Sequence, residues 1–137
     1  MKSLKVLVAD DDEEYRQRAK NHIKNYLSNR REKSPLELEL KEAETPEQAS
    51  QLVNFFYPDL IILDVCFGNG KNTIWIDKFL KLYRKSKGKA KIICWSADKS
   101  NEWIAKKAGA NEFLYKEESY HLYDAMIVQL ETFGDYA

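Results

Sequence analysis

The chain has 137 residues, 44% of them hydrophobic and 32% charged, which suits one soluble domain built on one core. Lys+Arg and Asp+Glu both number 22, so the formal net charge is zero and gives no bulk attraction to nucleic acid or to a membrane. No apolar run reaches the roughly 20 residues of a membrane span, and Met1–Lys2–Ser3 leads straight into a strand pattern without a signal-peptide layout, so the expected location is cytoplasmic.

Strand and helix patterns alternate five times. An apolar run over 4–9 reads as the first strand, and a helix follows over 12–28 with Tyr15, Ala19, Ile23 and Tyr26/Leu27 on one face. Over 36–43, Leu36, Leu38 and Leu40 alternate with Glu37, Glu39 and Lys41, the pattern of an edge strand with one wet face. Thr45 is placed to cap a second helix, with Pro46 at its first position and Gln48 completing a capping box. That helix presents Ala49, Leu52, Val53 and Phe56, and Pro58 ends it. A third strand over 59–63 is followed by the loop Gly68–Asn69–Gly70. The third helix, 73–86, carries Ile76, Phe79, Leu80 and Tyr83 and closes at Gly88. A fourth strand (90–95), a short helix (100–108) stopped by Gly109, a fifth strand (111–115) and a last helix (118–133) with Leu122, Met126 and Leu130 on one stripe complete the pattern. This (βα)5 alternation predicts a parallel sheet covered on both faces. The basic run Lys81, Arg84, Lys85, Lys87, Lys89 and Lys91 reads as a solvated helix C-terminus. Two cysteines make no disulfide scaffold: Cys94 lies in an apolar strand, and Cys66 has no His or Cys nearby at metal-ligand spacing.

The strand ends carry the chemistry. Asp10 and Asp11 follow the first strand, Asp64 follows Leu60–Ile61–Ile62–Leu63, and Ser96 and Lys116 follow the fourth and fifth strands. In open α/β sheets the crevice at the carboxyl ends of the strands is where ligands bind. Taken singly, Asp10 and Asp11 read as helix caps, Ser96 as a turn residue and Lys116 as a solvated charge. Together, three acids, a hydroxyl and an ammonium fit a hard cation and a phosphoryl group. Converging carboxylates repel each other, and a divalent cation such as Mg²⁺ relieves that conflict while accepting phosphate oxygens.

Four segments then resemble the receiver domains of two-component response regulators, in the manner of the single-domain chemotaxis regulators. They are Val6–Leu7–Val8–Ala9–Asp10–Asp11–Asp12, Pro58–Asp59–Leu60–Ile61–Ile62–Leu63–Asp64, Ile92–Ile93–Cys94–Trp95–Ser96–Ala97 and Gly109–Ala110–Asn111–Glu112–Phe113–Leu114–Tyr115–Lys116. The resemblance covers essentially the whole chain. It implies a flavodoxin-like, doubly wound parallel sheet in the order 2-1-3-4-5. It implies that Asp64 is the phosphoacceptor, that Asp11 and Asp64 ligate Mg²⁺ directly, and that Asp10 acts partly through water. The backbone carbonyl of Cys66 would supply a further metal ligand. Lys116 would neutralise phosphoryl oxygens, while the Ser96 hydroxyl and the Ala97 N–H would bind another. Inward movement of Ser96, with Phe113 filling the vacated space, would switch the surface of helix four, strand five and helix five. Trp103, Lys106, Lys107, Tyr115 and Tyr120 are candidates for that surface.

The pattern departs from the family in places. Glu117 follows Lys116 where the family usually has proline, which puts the usual cis bond in doubt. Gly68 also replaces a proline, and Gly70 comes about two residues early relative to the family glycine. In the family that Cys66's segment resembles, its position influences hydrolysis of the phosphoaspartate.

The expected protein is therefore a single receiver domain over 1–137, with no output domain in the chain. It is a phosphoacceptor that catalyses its own phosphorylation and dephosphorylation, and not a turnover enzyme. Its partners would be a sensor histidine kinase or histidine phosphotransfer protein and a downstream protein, with neither nucleic acid nor membrane bound directly. Homodimerisation through helices four and five is a family habit that the sequence does not spell out. The rival reading is a degenerate receiver, a phosphorylation-independent interaction module. Two enzyme-like readings fit worse. The D-x-D of haloacid-dehalogenase-like phosphatases is formally present in Asp10–Asp11–Asp12, but Glu14 stands where Thr or Val is expected. A flavin binder is disfavoured because acids follow the first strand and no phosphate-cradling loop appears.

Overall fold

The computed structural model describes residues 2–30, 35–67 and 73–136. In chain order the elements are β1 (Lys2–Ala9), α1 (Glu13–Asn29), β2 (Leu36–Ala43), α2 (Pro46–Phe56), β3 (Leu60–Asp64), α3 (Ile74–Lys85), β4 (Lys91–Ser96), α4 (Glu102–Ala108), β5 (Glu112–Tyr115) and α5 (Leu122–Ile127). The strands form one parallel sheet in the order β2-β1-β3-β4-β5. This is the flavodoxin-like arrangement the sequence predicts.

Side-chain alternation along the central strands divides the core in two. Leu7, Ala9, Ile61, Leu63, Ile92 and Cys94 face one side, where Ala49 and Val53 of α2, Ile76, Phe79 and Leu80 of α3, and Ala105 and Ala108 of α4 cover them. Leu4, Val6, Val8, Leu60, Ile62, Ile93 and Trp95 face the other, against Ala19, Ile23 and Tyr26 of α1 and Leu122, Ala125 and Met126 of α5. β3 is buried along its whole length, as a central parallel strand should be. β2 is the edge: its leucines are half-buried while Glu37, Glu39 and Lys41 face solvent. Cys94 is buried in the core, and burial pushes its thiol pKa up.

The ends of the elements differ from expectation in instructive ways. Asp64 is the last residue of β3 rather than the first residue beyond it. At α2, Thr45 caps as predicted, its Oγ1 accepting from the Gln48 N–H at 3.2 Å. The reciprocal bond, however, runs from the Glu44 N–H to Gln48 Oε1, one residue before the cap. The last helix is not uniform. It opens as a 3₁₀ segment over Lys116–His121, becomes α-helical at Leu122, and widens into a π segment over Val128–Thr132. The Phe133 N–H reaches back five residues to the Val128 carbonyl at 3.0 Å. No cis peptide occurs among the described residues, so the Lys116–Glu117 bond is trans. The Gly68–Asn69–Gly70 loop lies outside the described residues.

Arg84 departs from the reading of the basic run as a solvated face. Lys81, Lys85, Lys87 and Lys89 are exposed, but Arg84 is half-buried. Its guanidinium donates to the carbonyls of Gly88, Ala90 and Gly109 and to Asn111 Oδ1, over 2.8–3.3 Å. It thereby ties the end of α3 to the start of β4 and to the turn between α4 and β5.

Candidate functional site

The carboxyl edge of the sheet is held in register by the ladder itself. Asp64 lies opposite Trp95, and Ser96 opposite Tyr115, in parallel pairing. Beyond the ladder, the Asp10 N–H donates to the Ala43 carbonyl and the Val65 N–H to the Trp95 carbonyl, each at 3.0 Å. The side chains at these strand ends are thus carried on backbone already fixed by the core.

Asp10 and Asp64 are buried, whereas Asp11 is exposed. One carboxylate oxygen from each of the three lies within 4.8 Å of the others. Lys116 is buried too, and its Nζ sits 2.8 Å from Asp10 Oδ2 and 3.4 Å from Asp64 Oδ2. The second oxygen of each buried acid is taken by a tight backbone turn. Asp10 Oδ1 accepts from the Asp12 N–H at 2.9 Å, and Asp64 Oδ1 accepts from the Cys66 N–H at 3.1 Å.

Burial is the main cause that raises the Asp10 carboxyl from 3.8 to about 6, and the Asp64 charge adds to it against the pull of Lys116. Asp64 is raised as well, chiefly by burial, with Lys116 opposing. Burial works against the Lys116 ammonium, yet Asp64 and Asp10 outweigh it, so its pKa is raised and it stays charged. Two buried carboxylates thus share one ammonium, with the exposed Asp11 carboxylate close to both acids.

The donor set fits a hard divalent cation. It is all oxygen, and Asp10 Oδ2, although near Nζ, has no aligned hydrogen bond. A buried carboxylate oxygen paired with one ammonium and facing two further carboxylates is the kind of ligand Mg²⁺ takes. Asp10, Asp11 and Asp64 would hold it.

Ser96 is fully buried at the end of β4. Its Oγ accepts from the Asp98 N–H at 3.0 Å and from Asn101 Nδ2 at 2.9 Å, which leaves its own O–H free to donate. Ala97, the next residue, is exposed. Cys66 is half-buried, and its Sγ accepts from the same Asn101 Nδ2 at 3.1 Å. Phe113 is half-buried on β5, opposite Cys94, and packs against the core on the α3 and α4 side.

Sequence reasoning missed two residues. Asn101, buried at the start of α4, links Ser96 to Cys66. Its position at a short helix start reads as a cap, and no local signal reveals its burial. Arg16 is buried on α1, donating to the Asp10 carbonyl at 2.9 Å and pairing with Glu42 at 3.2 Å and Glu44 at 3.3 Å. A signal existed here: Arg16 stands three residues before Ala19, at the head of an otherwise apolar stripe.

No family model matches the sequence, and no curated protein matches it significantly. Solved structures do. The signal receiver domain of the DNA binding response regulator protein merR from Colwellia psychrerythraea 34H superposes with a TM-score of 0.71 at 20% identity, covering 93% of this chain and 97% of that one. The chain has the receiver fold. The response regulator domain of Thermotoga maritima CheB gives 0.69 at 20% identity over 96% of each chain. The Francisella response regulator 1452 receiver domain gives 0.66 at 23% identity over 91% of this chain and 94% of that one. At such identities the receiver fold is what is shared, and the role of each residue rests on the geometry above.

Proposed function

We propose that this chain is a response-regulator receiver in which Asp64 accepts a phosphoryl group and a protein-binding surface changes in consequence. The observation that supports this best is the Lys116 ammonium set between Asp10 and Asp64, with three acids converging on the same point. An Asp64 carboxylate oxygen would attack the phosphorus of a phosphohistidine on a sensor kinase or phosphotransfer protein. The new P–O bond forms as the P–N bond breaks, and the departing imidazole takes up a proton. Mg²⁺, when bound, would offset the charge of the phosphoryl oxygens. Lys116 would neutralise a second oxygen, and the Ser96 hydroxyl with the Ala97 N–H would bind a third. Such transfer is mostly positioning and charge stabilisation, which so small a site can supply.

The output would run through Ser96 and Phe113 to the face made by α4, β5 and α5. That face carries Trp103 and Tyr120, each about two-thirds exposed. Lys106 and Lys107 are exposed beside Trp103, and Tyr115 is half-buried. No helix among the described residues is long and apolar enough to cross a membrane. The chain acts as a signalling module in this reading, not as a turnover enzyme.

The test is incubation with Mg²⁺ and acetyl phosphate, followed by intact mass, with Asp64→Asn alongside. A phosphoryl adduct that needs Mg²⁺ and vanishes in Asp64→Asn is expected. Absence of any adduct and of Mg²⁺ binding would leave a phosphorylation-independent interaction module instead.

A further inference from the structure

Lys116 is held by more than charge. Its Nζ lies 4.4 Å from the centre of the Tyr15 ring and 5.8 Å from that of Trp95. The two rings meet edge to face, 5.5 Å apart and at 75°. Trp95 is fully buried, one residue before Ser96 on β4, and Tyr15 is half-buried in the first turn of α1. The ammonium therefore has two carboxylates and two aromatic rings as near neighbours.

The backbone fixes where the Lys116 stem starts but not where its ammonium ends. β5 has four residues, and the 3₁₀ segment that begins at Lys116 has no side-chain cap and a non-helical residue inside it, Glu118, at φ −112° and ψ 38°. A lysine stem has four rotatable torsions and loses much freedom when fixed. Tight placement of its ammonium thus calls for side-chain walls. An aromatic face attracts a cation within about 6 Å of its centre, and more strongly where water is excluded. Tyr15 also has Arg18 Cζ at 4.9 Å from its ring, and Arg18 is itself paired with Glu14 at 2.7 Å.

We propose that Tyr15, braced by Trp95, is a positioning residue for phosphoryl transfer: its ring holds the Lys116 ammonium against Asp10 and Asp64. This rests on the phosphoacceptor reading of Asp64. The ring supplies what its face provides, and the phenol oxygen plays no part. Phenylalanine therefore serves in place of tyrosine, and leucine does not. Trp95 bears the same relation to the ammonium from a greater distance, and it reports when the ammonium moves.

Two readouts on the wild type, Tyr15→Phe and Tyr15→Leu test this. In the unphosphorylated protein, aromatic ring currents displace the Lys116 ε-methylene proton resonances. The displacement should persist in Tyr15→Phe and largely disappear in Tyr15→Leu. With saturating Mg²⁺, the maximal rate of adduct formation from acetyl phosphate should fall about tenfold in Tyr15→Leu, within the range of a partly desolvated cation–π contact. Tyr15→Phe should stay within about twofold of wild type, because both rings offer a face to the cation. A Tyr15→Leu protein that phosphorylates at the wild-type rate, or identical Lys116 resonances in all three, would overturn the proposal. A folded wild type that never forms the adduct defeats the phosphoacceptor reading instead, and the resonances still decide whether Tyr15 holds the ammonium.

Discussion

Asp10 shows how a single buried acid links stability to the site's purpose. Its carboxyl is raised from 3.8 to about 6, mainly by burial and then by Asp64. A raised pKa means that the fold prefers the neutral acid. The contribution to stability is full below the unfolded value and is lost as pH rises through about 6. In metal-free protein at pH 7.5, Asp10→Asn should therefore stabilise the fold by about 1–3 kcal/mol, net of the ion pair with Lys116. That gain should vanish near pH 4. Urea denaturation in EDTA across this range measures it, and an Asp10→Asn protein no more stable than wild type at pH 7.5 contradicts the argument. The same scale contains Asn101, whose one amide group serves both Ser96 Oγ and Cys66 Sγ. Asn101→Ala should cost about 1–2 kcal/mol, because the buried Ser96 Oγ loses one of its two donors and Cys66 Sγ loses this amide. It should also speed the reaction of Cys66 with a thiol reagent, read spectrophotometrically; an unchanged rate would mean that the amide does not shield the sulfur. These two residues mark a boundary of legibility. Asp10, Asp11, Asp64, Ser96 and Lys116 could be picked out because each stands at the end of an apolar run. Asn101 could not, since its importance comes from burial between two loops that only folding brings together.

At the scale of elements, apolar spacing settled which stretches were helices and which faces they bury. Ala19, Ile23 and Tyr26, then Ala49 and Val53, then Ile76, Phe79 and Leu80, all point inward as their periodicity requires. The ends were less legible, because they depend on hydrogen bonds between segments distant in sequence. The 3₁₀ opening and π ending around α5 have no periodic signature, and the Leu122–Met126–Leu130 stripe runs from the α segment into the π segment without a break. Arg84 is the clearest instance. A basic residue near a helix C-terminus reads as a solvated charge matched to the dipole, yet its guanidinium gathers three carbonyls and the Asn111 side chain. Asn111 Oδ1 also accepts from the Ile92 N–H at 2.8 Å, so the clamp reaches into β4. Arg84→Met keeps the stem and removes the donors. It should destabilise the fold by about 2–4 kcal/mol, the cost of several part-buried acceptors left unpaired. Chemical denaturation checks this, and a loss below half a kcal/mol would mean that water replaces the guanidinium without penalty.

For the whole molecule, the sheet order decides what the acids can do. With β1 beside the central β3, Asp10 and Asp11 come next to Asp64, and the β4–β5 pairing brings Ser96 and Lys116 to the same edge. The fold therefore concentrates three carboxylates against one ammonium and bears the repulsion in the metal-free state. Any divalent cation that binds there stabilises the folded form and not the unfolded one. At a hundredfold excess over its dissociation constant the gain is about 2.7 kcal/mol. For a domain of this size that corresponds to a rise in Tm of roughly 8 °C. Thermal melts in EDTA and in millimolar Mg²⁺ at pH 7.5 should show that rise. It should shrink toward pH 5, where protons compete for Asp10, and should be largely lost in Asp64→Asn. Beryllofluoride added with Mg²⁺ should raise the Tm further, because Lys116 and Ser96 then gain fluoride partners in place of a phosphoryl group. Equal melting temperatures with and without Mg²⁺ would mean that the acids at this edge hold no cation, and the case for phosphoryl transfer at Asp64 would fall with them.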